Sequence, residues 1–122
     1  FIIDCVDLTN VKRIFKISGR HNLTDDFELS SYEETKGKFV FKTAVNSWIS
    51  SDMKLYETRL WSMDVSNIPD YLYKFDNMFN SCDGRFDIEH TYYKWLNAND
   101  VIEFDTIGVE GIVGGSGKYQ RD

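Results

Sequence analysis

Arg13-Ile14-Phe15-Lys16-Ile17-Ser18-Gly19-Arg20-His21-Asn22-Leu23-Thr24-Asp25-Asp26-Phe27 is the most informative stretch of this chain. Arg13 to Ile17 read as a short buried strand, which Ser18-Gly19 stops. The polar residues 20–26 then read as a loop at the strand's carboxyl end, where ligands collect in open α/β sheets. Gly19 lets a ligand approach the backbone, and Arg20 offers a planar fork for phosphate or carboxylate. Asp25 and Asp26 are candidate ligands for Mg2+ or Mn2+, ions that carboxylates share with phosphates. The same residues also fit an ordinary turn, in which Arg20 pairs with a surface acid and Asp25 caps a helix starting at Asp26.

Outward from this stretch, residues 1–9 fit either a helical face (Ile2, Cys5, Val6, Thr9) or a strand (Ile2, Val6, Leu8). Lys38 to Val45 alternates, with Phe39, Phe41 and Thr43 on one side. Lys54 to Met63 forms a partner strand, and Ser50-Ser51-Asp52 joins the two as a hairpin. Ser66 or Asn67 caps a first helix, with Pro69 in its first turn and Tyr71, Leu72, Phe75, Met78 and Phe79 as its apolar stripe; Asp83-Gly84 ends it. Asp87 caps a second helix, Ile88 to Leu96, with Ile88, Tyr92, Trp95 and Leu96 as the stripe. Val101 to Val113 gives one or two closing strands, and 114–122 reads as a flexible tail. A β-hairpin, two consecutive helices and closing strands make a mixed α/β or α+β domain over residues 1–113.

Composition sets the outer bounds. The chain has 122 residues, 42% of them hydrophobic and 16% aromatic, enough for one domain with a modest core. A net charge of -6 argues against a nucleic-acid backbone as partner, although Lys12, Arg13, Lys16 and Arg20 cluster locally and suit a small anionic ligand. The apolar runs are too short to span a bilayer, and Asp4 and Asp7 interrupt any secretory signal. Cys5 and Cys82 are expected as two free thiols in a cytoplasmic, reducing setting, with a single bridge as the alternative. The sequence starts without Met on the apolar Phe1-Ile2-Ile3, which suggests a trimmed terminus or a piece of a longer chain.

Three blocks carry a family resemblance: Phe15-Lys16-Ile17-Ser18-Gly19-Arg20 with Leu23 and Phe27, Asp87-Ile88-Glu89-His90, and Ile107-Gly108-Val109-Glu110-Gly111. Over residues 12–113 the chain resembles the later half of nucleotide-sugar-dependent, GT-A-like glycosyltransferases of large DNA viruses, phages and bacteria. It departs from that pattern at His21, where a Tyr is expected. The resemblance implies a partial GT-A-like fold, the acceptor side of the enzyme, with the nucleotide-binding half in a preceding segment. It implies a nucleotide-sugar donor and a carbohydrate or other hydroxyl acceptor. Glu89 resembles the base that deprotonates the acceptor. Ser18, Gly19, Arg20 and His90 would bind substrate, Arg20 at the donor diphosphate, with Asp25 or Asp26 on a divalent ion; Glu110 is a further candidate.

Blander readings stand beside these. Glu in a first helical turn is favoured by the helix dipole whatever its function. Trp48, Trp61 and Trp95 suit sugar platforms but also core packing. His21 and His90 show no metal-site spacing, Gly114-Gly115-Ser116-Gly117 lacks the Lys-Ser/Thr and helix of a P-loop, and no serine or cysteine nucleophile is indicated by sequence. The alternative to an enzyme is a non-catalytic carbohydrate-binding or virion-associated structural module.

Overall fold

The computed structural model describes residues 6–81 and 87–122, with residues 79–81 described by backbone alone. The alternatives for residues 1–5, both cysteines and the Asp83-Gly84 stop therefore lie outside the described residues. The architecture is mixed α+β, as the element pattern predicts.

Strand β1 (Arg13–Ile17) and strand β2 (His21–Leu23) flank the Ser18-Gly19 turn, and a 3-10 helix follows over Leu29–Thr35. Then come β3 (Phe39–Lys42), β4 (Val45–Asn46), β5 (Lys54–Leu55) and β6 (Leu60–Asp64). Helices α1 (Ile68–Ser81) and α2 (Ile88–Trp95) precede β7 (Val101–Phe104), β8 (Val109–Ile112) and β9 (Tyr119–Arg121). The main sheet has the order β1-β6-β3-β7, antiparallel except for the parallel β3–β7 pair. A second sheet, β2-β8-β9, is antiparallel throughout, and β4–β5 is a separate hairpin.

Alternation along the main strands sends side chains to two cores. Phe39, Phe41, Trp61 and Met63, with Ile14 and Val101, face α1 and α2 and pack with Tyr56, Met78, Tyr92 and Leu96. Leu60, Phe15 and Phe104 face the other way and meet Ile107, Val109 and Phe27 of the second sheet's side. The helix-side core is dense in rings: Phe41 stacks on Tyr56 and Trp61 at centroid distances of 4.6 and 5.6 Å. Trp61 is thus a core residue, whereas Trp48 is 68% exposed.

Four sequence expectations change. The long strand over 38–45 ends at Lys42, because Thr43 N–H and Ala44 N–H turn to Phe104 O and the Glu103 carboxylate. The strand over 54–63 is interrupted at 56–59, where Tyr56 N–H and Thr58 N–H bond the start of α2 instead of a neighbouring strand. The hairpin tip is where Ser50-Ser51-Asp52 put it, but each arm is divided, with β4 and β5 paired next to the tip and β3 and β6 paired in the main sheet. In α2 the buried face is His90, Thr91 and Tyr92 with Leu96, while Ile88 and Trp95 are 42% and 36% exposed.

The expected tail also folds back. Val113 N–H bonds Lys118 O at 2.8 Å, and β9 then pairs with β8. The Asp122 side chain ends 1% exposed, in an ion pair with Lys42, and its Oδ2 accepts from Ile107 N–H at 2.6 Å. Burying a carboxylate without such partners would be costly, so this closure fixes the segment in place.

Gly108 has φ +66°, and a Cβ there would lie 2.2 Å from Phe27 N. Gly108→Ala should therefore destabilise the chain by about 2 kcal/mol or more in denaturant titration. Gly19→Ala, where a Cβ meets nothing within 4 Å, should stay within about 1 kcal/mol of the parent. Equal stabilities for the two variants would refute this packing of β8 against the 24–27 turn.

Candidate functional site at the carboxyl end of β1

The antiparallel β1–β6 pair ends at Ile17↔Leu60, and the chain segments beyond it converge with the first turn of α2. Asp87 starts that helix in extended backbone and accepts from Glu89 N–H and His90 N–H, which fixes the direction of the first turn. Glu89 then points at Thr58: its Oε1 accepts from Thr58 N–H at 2.8 Å and from Thr58 Oγ1 at 3.1 Å. The opposite side of the same residue, Thr58 O, accepts from Lys16 Nζ at 2.8 Å and from Ser18 Oγ at 3.1 Å. Lys16 Nζ also donates to Ser18 Oγ at 2.9 Å. Burial lowers the Lys16 pKa, and the neighbouring Glu89 charge works against that shift. Thr58 thus ties the first sequence block to the second.

The third block joins through the second sheet. Ile112 N–H bonds Arg20 O at 3.3 Å, and His21 pairs with Gly111. A Cβ on Gly111 would stand 2.2 Å from Arg20 O, so only glycine lets β8 come this close to the turn. The Arg20 guanidinium reaches over Gly114, where a Cβ would be 2.6 Å from Nη2.

Cations gather around His21. Its two ring nitrogens are buried and have no hydrogen-bond partner. Burial, then the Arg59, Arg20 and Lys16 charges, hold the imidazole below its ordinary pKa, with Glu57 opposing. Arg59 is 6% exposed; its Nη2 donates to Glu57 at 2.7 Å, while Nε and Nη1 have no partner. The Asp122 carboxylate stands 3.9 Å from the same Nη2, so this buried guanidinium is flanked by two acids and adds positive potential beside His21 from within the protein.

Of the sequence candidates, Ser18, Gly19, Arg20 and Glu89 belong to this neighbourhood. Asp25 and Asp26 do not join it. Both are exposed on a turn closed by Phe27 N–H to Thr24 O, not at a helix start, and Asp26 accepts from Arg121 Nη2 at 3.1 Å. Glu110 stands 3.9 Å from the same Arg121. Among the described residues no group of three or more His, Cys, Asp or Glu is placed to hold a metal ion. His90 is 3% exposed, with Nε2 at 2.7 Å from Ser47 Oγ and Nδ1 at 2.7 Å from Asp87, so its ring faces the β4–β5 hairpin and not the Glu89 side.

Thr58 and Arg59 were not legible as site residues, and His21 was singled out only as a departure from the family block and for a metal site. The one available signal was Glu57-Thr58-Arg59, three polar residues that break the alternation of an otherwise apolar strand. A separate open cavity of about 610 Å3, lined by residues that include Lys12, Arg13, Tyr32 and Lys36, lies at the other end of β1. Arg13 there is already committed, to Ser62 Oγ at 2.8 Å and Lys38 O at 3.1 Å.

Compared with protein-family models, curated proteins and solved structures, the chain matches none. No helix among the described residues is long and apolar enough to cross a membrane.

The depressed His21 pKa has a signed consequence. Below about pH 6.5 the unfolded imidazole takes a proton that the folded one resists, so this contribution to stability is present above that pH and is lost as pH falls. The melting temperature of the parent should thus fall more steeply between pH 6.5 and 5 than that of His21→Phe. Identical pH profiles would show that His21 is not desolvated among cations.

Proposed function

We propose that this chain is the acceptor-side portion of a GT-A-like glycosyltransferase that transfers a sugar from a nucleotide-sugar to a hydroxyl acceptor in the cytoplasm. The observation that supports it is convergence. The block around Ser18 meets those around Glu89 and Gly111, which follow it by about seventy and ninety residues in sequence, at the carboxyl end of one strand. Because β1 pairs antiparallel with β6, this end of β1 is also where β6 begins, so both strands contribute to it.

In this reading Thr58 holds Glu89 by Oε1 and leaves Oε2 to take the proton of the acceptor hydroxyl. The acceptor oxygen bonds to the anomeric carbon as the bond to the diphosphate oxygen breaks. Arg20 and Lys16 offset the charge that develops on the diphosphate. The nucleotide-binding half is assigned to sequence preceding this chain. Asp25 or Asp26 would hold a divalent ion where the step uses one, and Asp26 also accepts from Arg121.

The test uses the full-length protein. Glu89→Gln should slow sugar transfer by about 10²–10⁴-fold, the usual weight of general-base catalysis, with little change in nucleotide-sugar affinity by calorimetry. Arg20→Ala should weaken binding of a nucleoside diphosphate by about 10–100-fold, the weight of one charge-assisted hydrogen bond. Transfer at the parent rate by a folded Glu89→Gln variant would overturn the role of Glu89. Unchanged diphosphate affinity in Arg20→Ala would remove the donor site from this loop.

A further inference from the structure

His90 and Asp87 are not used by the proposed transfer, yet with Ser47 they form a continuous hydrogen-bonded chain from solvent into the core. Asp87 Oδ1 receives His90 Nδ1 at 2.7 Å and also Glu89 N–H and His90 N–H, both at 3.1 Å. Two backbone N–H groups already donate to this oxygen, which makes it an acceptor toward the ring as well; the geometry thus assigns the His90 proton to Nδ1 and leaves Nε2 to accept from Ser47. Ser47 Oγ lies 2.7 Å from Nε2 and takes a bond from Ile49 N–H at 2.9 Å. The Ser47 hydroxyl proton is thereby directed at Nε2. This is the relation that a serine nucleophile needs to its base, with the base oriented by a third group.

Burial and access divide in the required sense at the serine end. His90 is sealed, 3% exposed, with the Trp48 ring edge-on at 5.1 Å. Ser47 itself is only half-buried, and the next two residues, Trp48 and Ile49, are 68% and 51% exposed. Both are exposed apolar residues, Trp48 with its ring against His90 and Ile49 bonded through its N–H to Ser47 Oγ, so apolar surface adjoins the hydroxyl in sequence and suits the acyl part of an ester. Trp48 N–H, used by none of the hairpin's hydrogen bonds, is a backbone donor adjacent to the nucleophile.

We propose that Ser47, His90 and Asp87 form an acyl-transfer site for esters with a small apolar acyl group. Ser47 Oγ bonds to the ester carbonyl carbon while its proton passes to His90 Nε2. The tetrahedral intermediate collapses by breaking the bond to the alcohol oxygen, which takes that proton and leaves. Water, deprotonated by Nε2, then attacks the acyl-serine and releases the carboxylic acid with Ser47 restored. Ser47 is the nucleophile, His90 the base, and Asp87 a positioning residue that fixes the tautomer. The chain of bonds also ties the hairpin to α2, and that structural role alone would leave the hydroxyl unreactive.

The test is independent of sugar transfer. The full chain is treated with a fluorophosphonate, its intact mass is measured, and the adduct is located by peptide mapping; hydrolysis of p-nitrophenyl acetate is followed in parallel. The expected result is one adduct per chain, on Ser47, absent from urea-unfolded protein and slowed by excess p-nitrophenyl acetate. Ser47→Ala should abolish labelling with the circular dichroism of the parent, and Asp87→Asn and His90→Gln should slow hydrolysis by about 10²-fold or more. No adduct on the folded parent under conditions that label a serine esterase completely would overturn the proposal. So would labelling spread over other serines or equal in the unfolded chain. Because the parent protein alone decides these outcomes, a variant that fails to fold does not shield the idea.

Discussion

Strand β6 has neighbours on both edges and cores on both faces, and the other elements are arranged to satisfy it. All five of its residues, Leu60 to Asp64, are buried, including a serine and a carboxylate. Leu60 belongs to the core beneath the second sheet, and Trp61 and Met63 belong to the core beneath the helices. The polar pair then requires partners from outside the strand. Arg13 gives one to Ser62, and the same guanidinium bonds the carbonyls of Thr35 and Lys38, so β1, the 3-10 helix and the entry to β3 are held by one side chain. Burial lowers the Arg13 pKa, and the Asp64 charge offsets part of that shift. Burial alone would raise the Asp64 carboxyl, but bonds from Ser66 and from the Gly37 backbone, with Arg13, outweigh it.

The site follows from where this central strand stops. A ladder can continue only while both chains offer matching backbone groups, and at 56–59 the groups are claimed by α2: Tyr56 N–H by Glu89 O, Thr58 N–H by the Glu89 carboxylate. Arg59 O still accepts from Ser18 N–H at 2.9 Å, and beyond it Glu57 and Thr58 leave the ladder, with Thr58 O facing Lys16 and Ser18 at the end of β1. The candidate site is therefore made from the frayed end of the sheet's central strand, and its geometry is fixed by the depth at which α2 docks.

Local signals were legible and long-range ones were not. Arg13–Ile17 is apolar and β-branched enough to be read as a strand, and Asp87 is a capping residue whose effect is felt within three residues. By contrast β2 and β9 are three residues each, and Leu23 of β2 is 50% exposed, so nothing in their own pattern marks them. They exist because β8 lies between them. Half of the stripe assigned to α2, Tyr92 and Leu96, is buried as expected, and the other half, Ile88 and Trp95, is displaced for a related reason. His90 and Thr91 are polar, and they are buried because Ser47 and the Asp87 carbonyl meet their hydrogen-bonding needs. Glu89 was legible as a functional candidate from position alone, while Thr58, Arg59 and His21 acquire roles only through residues far away in sequence.

The first turn of α2 serves two constellations at once because successive helical side chains diverge by about 100°. Glu89 turns to Thr58 and the end of β1, and His90 turns to Ser47 on the hairpin. Asp87 orients both, since its carboxylate oxygen holds the N–H groups of Glu89 and His90 as well as the imidazole. A rotation of this turn that improved one set of contacts would strain the other, for both are anchored to different parts of the chain. The β4–β5 hairpin and the 57–59 segment are successive parts of one chain gripping opposite sides of a single helical turn. That grip makes the helix start a rigid element, and rigidity at this point is what either chemistry would require.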